Sequence, residues 1–257
     1  MTNPHLTLIG GPTVLIDYAG LRLLTDPTFD APGDYQLPHV TLHKTDGPAL
    51  DAGKVGAVDA VLLSHDQHAD NLDTSGRDFL ARAGRVLTTQ VGAGRLGGKA
   101  EGLAPWQSVE LKMRDGGAVR VTATPARHGP AGIEPFAGDV VGFVLEADGA
   151  PTVYVTGDTV WYDGVAEVAR HFKVGIVLLF AGSAQTRGPF NLTMNVNDAI
   201  ETAHAFPQAA IVPVHCDGWA HFTQDRDDIV SSFKALSLTS RLRLLEPGVA
   251  SEVAPMA

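Results

Sequence analysis

Short apolar runs separated by turn residues fill the beginning of the chain. Residues 5–9 are followed by Gly10-Gly11-Pro12, 14–16 by Asp17-Tyr18-Ala19-Gly20, and 21–24 by Asp26-Pro27. Runs this short, punctuated by Gly, Pro and Asp, predict three strands of a meander. Residues 30–57 are rich in Gly, Pro, Asp and His and carry no sustained period. They read as a long loop, and loops of that length inside a compact domain are often functional. Residues 57–64 form the next apolar run. Residues 75–83 predict a helix, with Ser75 as its cap, Phe79, Leu80 and Ala83 on one face, and Gly84 where a left-handed C-terminal residue is wanted. Residues 86–89 read as strand. The stretch 92–98, with glycines at 92, 94, 97 and 98, matches no phosphate-loop pattern and reads as a loop or a short irregular helix.

Strands come faster in the second half: 108–113, 118–123, 140–147 and 152–156. The turns Asp115-Gly116-Gly117 and Asp148-Gly149 favour antiparallel pairing. Helical faces appear at Val165, Val168, Ala169 and Phe172, at Val196, Ala199, Ile200 and Ala203 (closed by Pro207), and at Ile229, Val230, Phe233 and Leu236. Buried strands are expected at 176–180 and 210–214, and a last strand at 241–245. Many strands first, then alternating strand and helix, suit an α/β (α+β) four-layer αββα sandwich, two sheets face to face with helices outside. With no evident linker, residues 1–257 are expected to form a single domain.

Composition narrows the function. Hydrophobic residues make up 44% of the chain and charged ones 19%, enough for a sizeable core. The net charge of -10 disfavours a nucleic-acid partner, which needs clustered Lys and Arg. One cysteine, Cys216, allows no intrachain disulfide and favours a reducing compartment. No secretory signal and no run of roughly 18 apolar residues is evident, so a cytoplasmic protein without a membrane partner is expected.

The chemistry gathers where apolar runs end. Within 61–73, VLLSHDQHADNLD, the run turns at Ser64 into two histidines, acids, a Gln and an Asn. Nitrogen and oxygen donors at such spacing suit a divalent transition metal. The run 57–64 leads to His65, 118–123 to His128, 152–156 to Asp158, and 210–214 to His215. If those ends share one edge of the sheets, the ligands converge.

In this order the motifs resemble the metallo-β-lactamase superfamily, and within it the branch of ascorbate-phosphate lactonases and N-acyl-phosphatidylethanolamine phospholipase D. The likeness rests on Leu24-Thr25-Asp26-Pro27, on 65–73, on Arg127-His128-Gly129, on Thr156-Gly157-Asp158-Thr159 and on Pro213-Val214-His215, and spans nearly the whole chain. The family loop is His-x-His-x-Asp-His; here it is His65-Asp66-Gln67-His68-Ala69-Asp70-Asn71. Aligned without a gap, Gln67 replaces the second His, Ala69 the Asp and Asp70 the last His. With one extra residue after His65, His68 matches the second His, Asp70 the Asp, and Asn71 replaces the last His. The second alignment is preferred. It implies His65, His68 and His128 for one metal, Asp70 and His215 for another, and Asp158 able to bridge. Because an amide is a poor zinc ligand, the second ion would bind more weakly or be absent.

The resemblance implies a hydrolase of a small molecule (lactone, ester, amide or phosphodiester) using water activated by one or two divalent ions, zinc first and manganese second. Asp70 would orient the water, and His221 would contact substrate or protonate a leaving group. Alternatives are a degenerate member that binds metal or ligand without turnover, and a nuclease or phosphodiesterase. Gln67 and Asn71 read as hydrogen-bonding neighbours of the ligands, and Asp26 as a loop support. Lys44 and Arg127 are cations with no assigned place. Trp161, Trp219 and Phe222 are candidates for a pocket or for ordinary packing. Cys216 should face away from His215. His5, His39, His43, His171 and His204 read as surface or loop residues.

Overall fold

The computed structural model describes residues 2–113 and 116–256. The meander is β1 (His5–Gly10), β2 (Thr13–Tyr18) and β3 (Leu21–Thr25). A hairpin of β4 (Gly33–Gln36) and β5 (Thr41–Lys44) follows, then a helical turn α1 (Ala52–Val55) and β6 (Val58–Leu62). Next come α2 (Thr74–Phe79), β7 (Ala83–Thr89), α3 (Gln90–Leu96), β8 (Ala100–Leu103), β9 (Ser108–Lys112) and β10 (Ala118–Pro125). After the short α4 (Glu134–Ala137) lie β11 (Val141–Glu146), β12 (Val153–Val155), α5 (Asp163–His171), β13 (Ile176–Phe180), α6 (Val196–Ala205), β14 (Ala210–Val214), α7 (Arg226–Ala235) and β15 (Ser251–Glu252).

One sheet has the order β15-β1-β2-β3-β6-β7-β8 and the other β14-β13-β12-β11-β10-β9. Pairing is antiparallel from β9 to β12, as the turns predict, and parallel across β12-β13-β14. Alternation in β13 explains its wholly apolar sequence. Ile176, Leu178 and Phe180 face the other sheet, where they meet residues such as Leu8, Val14 and Leu62, while Val177 and Leu179 face outward. A strand covered on both faces has no polar side to show. The outward face is covered by Val165 and Val168 of α5, Ala199 and Ala203 of α6, and Ile229 and Phe233 of α7. On the opposite side Val55 of α1 and Phe79 of α2 cover the first sheet. The result is the four-layer αββα arrangement. Each large apolar side chain taken out of water contributes roughly 1.5–3 kcal/mol.

Three local expectations need correcting. Residues 30–57 are not a plain loop: they hold the β4-β5 hairpin and α1. The hairpin lacks an apolar period because its packing comes from elsewhere, with Tyr35 stacked 5.3 Å from the Trp219 ring. The helix at 75–83 is capped by Asp73, whose side chain accepts from the Gly76 amide, and ends at Phe79; Ala83 and Gly84 already belong to β7. The edge strand β8 carries no sequence signal that marks it. Residues 241–245 are not a strand; Leu242 makes one isolated bridge to Ile211, and β15 closes the first sheet. The stretch 92–98 lies largely in α3, capped by Thr89. Asp115, in one of the turns, lies outside the described residues. Among the described residues no helix is long and apolar enough to cross a membrane.

The first turn of α2 presses on the segment after β3: a Cβ on Gly76 would stand 1.8 Å from the Pro27 carbonyl oxygen, whereas one on Gly53 in α1 meets nothing within 4 Å. Gly76→Ala should therefore lose about 2–3 kcal/mol in urea unfolding, as an overpacked backbone contact does, while Gly53→Ala stays within about 0.5 kcal/mol of the parent or gains. Equal midpoints for the two variants would refute the close packing of α2 on this segment.

Candidate metal centre

Four segments meet at one edge of the sandwich: the loop after β6, and the turns after β10, β12 and β14. The first is the most heavily braced. Asp26 Oδ1 accepts the Ser64 amide at 2.6 Å as β6 ends. Buried Asp66 is clasped by Arg95, whose Nε donates to Oδ2 at 2.9 Å and whose Nη2 donates to Oδ1. Arg77 Nη2 donates to the Asp66 carbonyl at 2.5 Å. At the far end of the loop Asp73 caps α2, accepts the amides of Phe29 and Asp30 at 3.0 and 2.7 Å, and pairs with Lys44 Nζ at 3.1 Å. After β12, Gly157 adopts φ 62° and a Cβ there would come 2.9 Å from Ser64 Cβ, so the glycine lets the two sheets close up beneath the site. His215 stands at φ 55°, held by its amide bond to the Gly11 carbonyl at 3.0 Å.

These braces aim three imidazoles at one point. His68 Nδ1 is 2.8 Å from His65 Nε2 and 3.0 Å from His128 Nε2. The three donor atoms lie within 4.8 Å of one another. His128 Nδ1 lies 2.7 Å from the Leu192 carbonyl oxygen, an acceptor only, so Nδ1 carries the proton and the Nε2 lone pair points inward. His65 Nδ1 is engaged by Ser64 Oγ at 2.9 Å. Gln67 lies outside this cluster, exposed, with its amide across Gly138.

Asp158 lies between two groups. Its Oδ2 is 3.5 Å from His128 Nε2, and its Oδ1 is 3.4 Å from His215 Nε2. Asp70 Oδ2 is 3.7 Å from His215 Nε2 and 3.0 Å from His221 Nε2. His215 is wholly buried, yet neither ring nitrogen has a hydrogen bond. Buried polar groups are rarely left so, and an unpaired imidazole aimed at two carboxylates suits a cation. Asn71 Nδ2 donates to Asp158 Oδ1 at 3.2 Å, which makes the amide a support for that carboxylate.

Electrostatics favour the metal-ready forms of His65, His68, Asp70 and Asp158. Burial, then the neighbouring His68, hold the His65 imidazolium well below its ordinary range, and burial with His128 lowers His68 to about 4. Both rings are thus neutral donors at pH 7. Burial works to raise Asp70 and Asp158, but His221 and His215 respectively, with the other imidazoles around them, outweigh it and hold both carboxyls well below the usual range. For His215 burial opposes the charge, and the Asp158 carboxylate prevails and raises it. Asp26 is the opposite case: burial and the charge of Asp158 push its carboxyl well above the carboxylate range.

His68, Asp70, His128 and His221 open into a cavity of about 420 Å³ walled by Leu37, Leu42, Phe136, Ala184 and Leu192, with Arg187 and His39 at its rim. The cations singled out in the sequence are elsewhere: Lys44 is buried against Asp73, and Arg127 stacks over the Tyr162 ring at 4.4 Å. Phe222 packs on His215 and His221 at 4.9 and 4.7 Å, Trp219 against Tyr35, and Trp161 on the α5–α6 layer. Cys216 lies in the outer core, where burial pushes its thiol up. His5, His39, His43, His171 and His204 are exposed. Sequence reading missed Asp66, Arg95 and Arg187, since a single acid or arginine carries no period or spacing. A separate cavity of about 430 Å³, lined by Lys44, Asp46, Trp219 and Arg226, holds none of the clustered histidines.

The Asp66–Arg95 clasp touches no donor atom of the cluster, so its removal isolates loop order from ligand chemistry. Arg95→Ala should weaken zinc affinity roughly 10–100-fold in competition titration with a chromophoric chelator, while leaving the metal-free fold intact by circular dichroism. Unchanged affinity would show that the loop holds its shape without the clasp.

Comparison with known proteins agrees with this architecture. Residues 21–216 match the family model described as beta-lactamase superfamily domain. The chain is 27% identical over 258 residues to the UPF0173 protein YddR of Bacillus subtilis (strain 168), covering 95% of this chain and 98% of that one. It is 28% identical over 205 residues to a UPF0173 metal-dependent hydrolase of Pelotomaculum thermopropionicum, covering 76% of this chain and 82% of the relative. Among solved structures, an isothiocyanate hydrolase from Delia radicum gut bacteria superposes with a TM-score of 0.83 at 23% identity, over 97% of this chain and 99% of that one. The match is at the level of the superfamily. With the family model spanning well over half of its length, the chain belongs to the beta-lactamase superfamily.

Proposed function

We propose that this protein is a metal-dependent hydrolase of a small, largely apolar electrophile. The observation that carries this reading is the convergence of His65, His68 and His128 on one point at the floor of a cavity of about 420 Å³. These three imidazoles, with Asp158 beside them, would hold the first cation; Asp70 and His215 face the place of a second. Zinc fits the imidazole-rich group best, and manganese becomes competitive as oxygen donors take a larger share.

A bound divalent cation supplies Lewis acidity and lowers the pKa of water to around 7 in good zinc cases. The chain's own groups do the rest. Asp70, held as a carboxylate, accepts a proton or hydrogen bond from the attacking water and fixes its direction. Leu37, Leu42 and Leu192 give the cavity an apolar wall, and polar contacts made against it are strengthened by the lower local dielectric. Arg187 donates through Nη2 to the Phe136 carbonyl at 2.9 Å, which fixes the guanidinium at the rim, where it meets an anionic or carbonyl part of the substrate. A net charge of -10 and a cavity of this size support a small molecule over a nucleic acid, and the single cysteine supports a cytoplasmic setting.

The test is elemental analysis of the purified protein, followed by assays on lactones, esters, amides, phosphodiesters and isothiocyanates with zinc and with manganese. Turnover of at least one class should vanish with a chelator and return with metal. His128→Ala and Asp158→Ala should each lower kcat by a thousandfold or more. Metal uptake without turnover of any class would favour a binding protein, and His128→Ala behaving like the parent would refute the hydrolase reading. Among accepted substrates, Arg187→Ala should raise KM tenfold or more for anionic ones while sparing neutral ones. An equal effect on both would remove Arg187 from substrate recognition.

A further inference from the structure

We infer that His221 is a ligand of a second cation, taking the place that Asn71 leaves without an imidazole. The inference rests on the metal centre proposed above. Beside the three-histidine point lies a second group of donors: Asp70 Oδ2, His215 Nε2 and Asp158 Oδ1, with Nε2 to Oδ1 3.4 Å and Nε2 to Oδ2 3.7 Å. His221 Nε2 joins it at 3.0 Å from Asp70 Oδ2. All four side chains are at least nine-tenths buried. His215 has no hydrogen bond on either nitrogen, and His221 has none on Nδ1. Two carboxylates and two imidazoles are the donor types that would suit a divalent ion such as zinc.

Asn71 brings no imidazole to this group: its Nδ2 is spent as a donor to Asp158 Oδ1, and its one possible ligand atom, the buried and unpartnered Oδ1, is an amide oxygen, a weaker zinc ligand than an imidazole nitrogen. Asp158 presents Oδ2 toward His128 and Oδ1 toward His215, so it would serve both groups. His221 reaches the group from the loop after β14, and Phe222 packs on both His221 and His215, setting the two rings as a pair. The second imidazole thus comes from six residues past His215, not from the loop after β6. On this assignment His221 neither protonates a leaving group nor merely orients Asp70.

Equilibrium dialysis against zinc with elemental analysis, and absorption spectra of the cobalt-substituted protein, decide the matter without an activity assay. The parent should hold two equivalents. His221→Ala should hold one, with its affinity for the second reduced a hundredfold or more and the matching part of the cobalt d–d absorption lost. Asn71→Ala should keep both ions, and the Asn71→His, His221→Ala double variant should regain the second. Circular dichroism and urea unfolding of each metal-free variant separate lost ligation from lost fold. If His221→Ala holds two equivalents with parental affinity, or the parent holds only one, His221 is not a ligand and the first site still stands. If the parent takes up no metal, the hydrolase reading fails and this inference with it. Loss of the first equivalent in His65→Ala, with His221→Ala like the parent, would overturn the inference alone.

Discussion

Taking charged and hydrogen-bonding groups out of water is the constraint on which this molecule turns. His65, Asp70, His128, Asp158 and His215 are buried at one edge of the sandwich. Such groups are tolerated only when they satisfy one another or a cation. The arrangement leaves nitrogens aimed at a shared point and a histidine without hydrogen bonds, so satisfaction within the protein is incomplete. The apolar layers on either side make that tolerable. The strands that deliver the ligands are buried on both faces, which leaves their ends little freedom to relax away from the site.

Around the donors lies a second ring of buried polar residues whose work is positional. Asp26 fixes the end of β6, Asp66 with Arg95 fixes the middle of the histidine loop, and Asp73 fixes its exit. Each uses a carboxyl group to hold backbone amides or a guanidinium at a distance from the point of convergence. Asn71 belongs with them through its bond to Asp158. The metal-facing groups can then be neutral imidazoles and free carboxylate oxygens, because the loop's shape is held by others.

Much of the layer order was legible in the sequence, because burial on one or both faces leaves a period. β13 and β14 appear within their true bounds, and α5, α6 and α7 by their apolar faces. The convergence of ligands could be read from their common position at strand ends. What could not be read depends on partners far along the chain. The β4-β5 hairpin has little apolar pattern of its own and is held by Trp219 and Asp73. Asp73 outcompeted Ser75 as the cap of α2, and an acid followed by Thr-Ser offers no local means of choosing. The pairing of Asp66 with Arg95 and the location of Arg187 at the cavity rim are tertiary facts. The spacing of 65–71 admitted two registers, and only the fold could show which side chain turns inward.

Asp73 ties down both sides of the hairpin, taking the Asp30 amide at one end and Lys44 Nζ at the other. A segment clamped at its base by one carboxylate is modular. Its tip, with Leu37, Pro38 and His39, walls the cavity, away from the clamped base. Each doubling of a loop's length costs only about 0.6 kcal/mol in closure entropy, so this rim is free to lengthen, shorten or change residues over evolutionary time. Relatives built on the same frame can thereby diverge in what they accept while their donor atoms stay where they are.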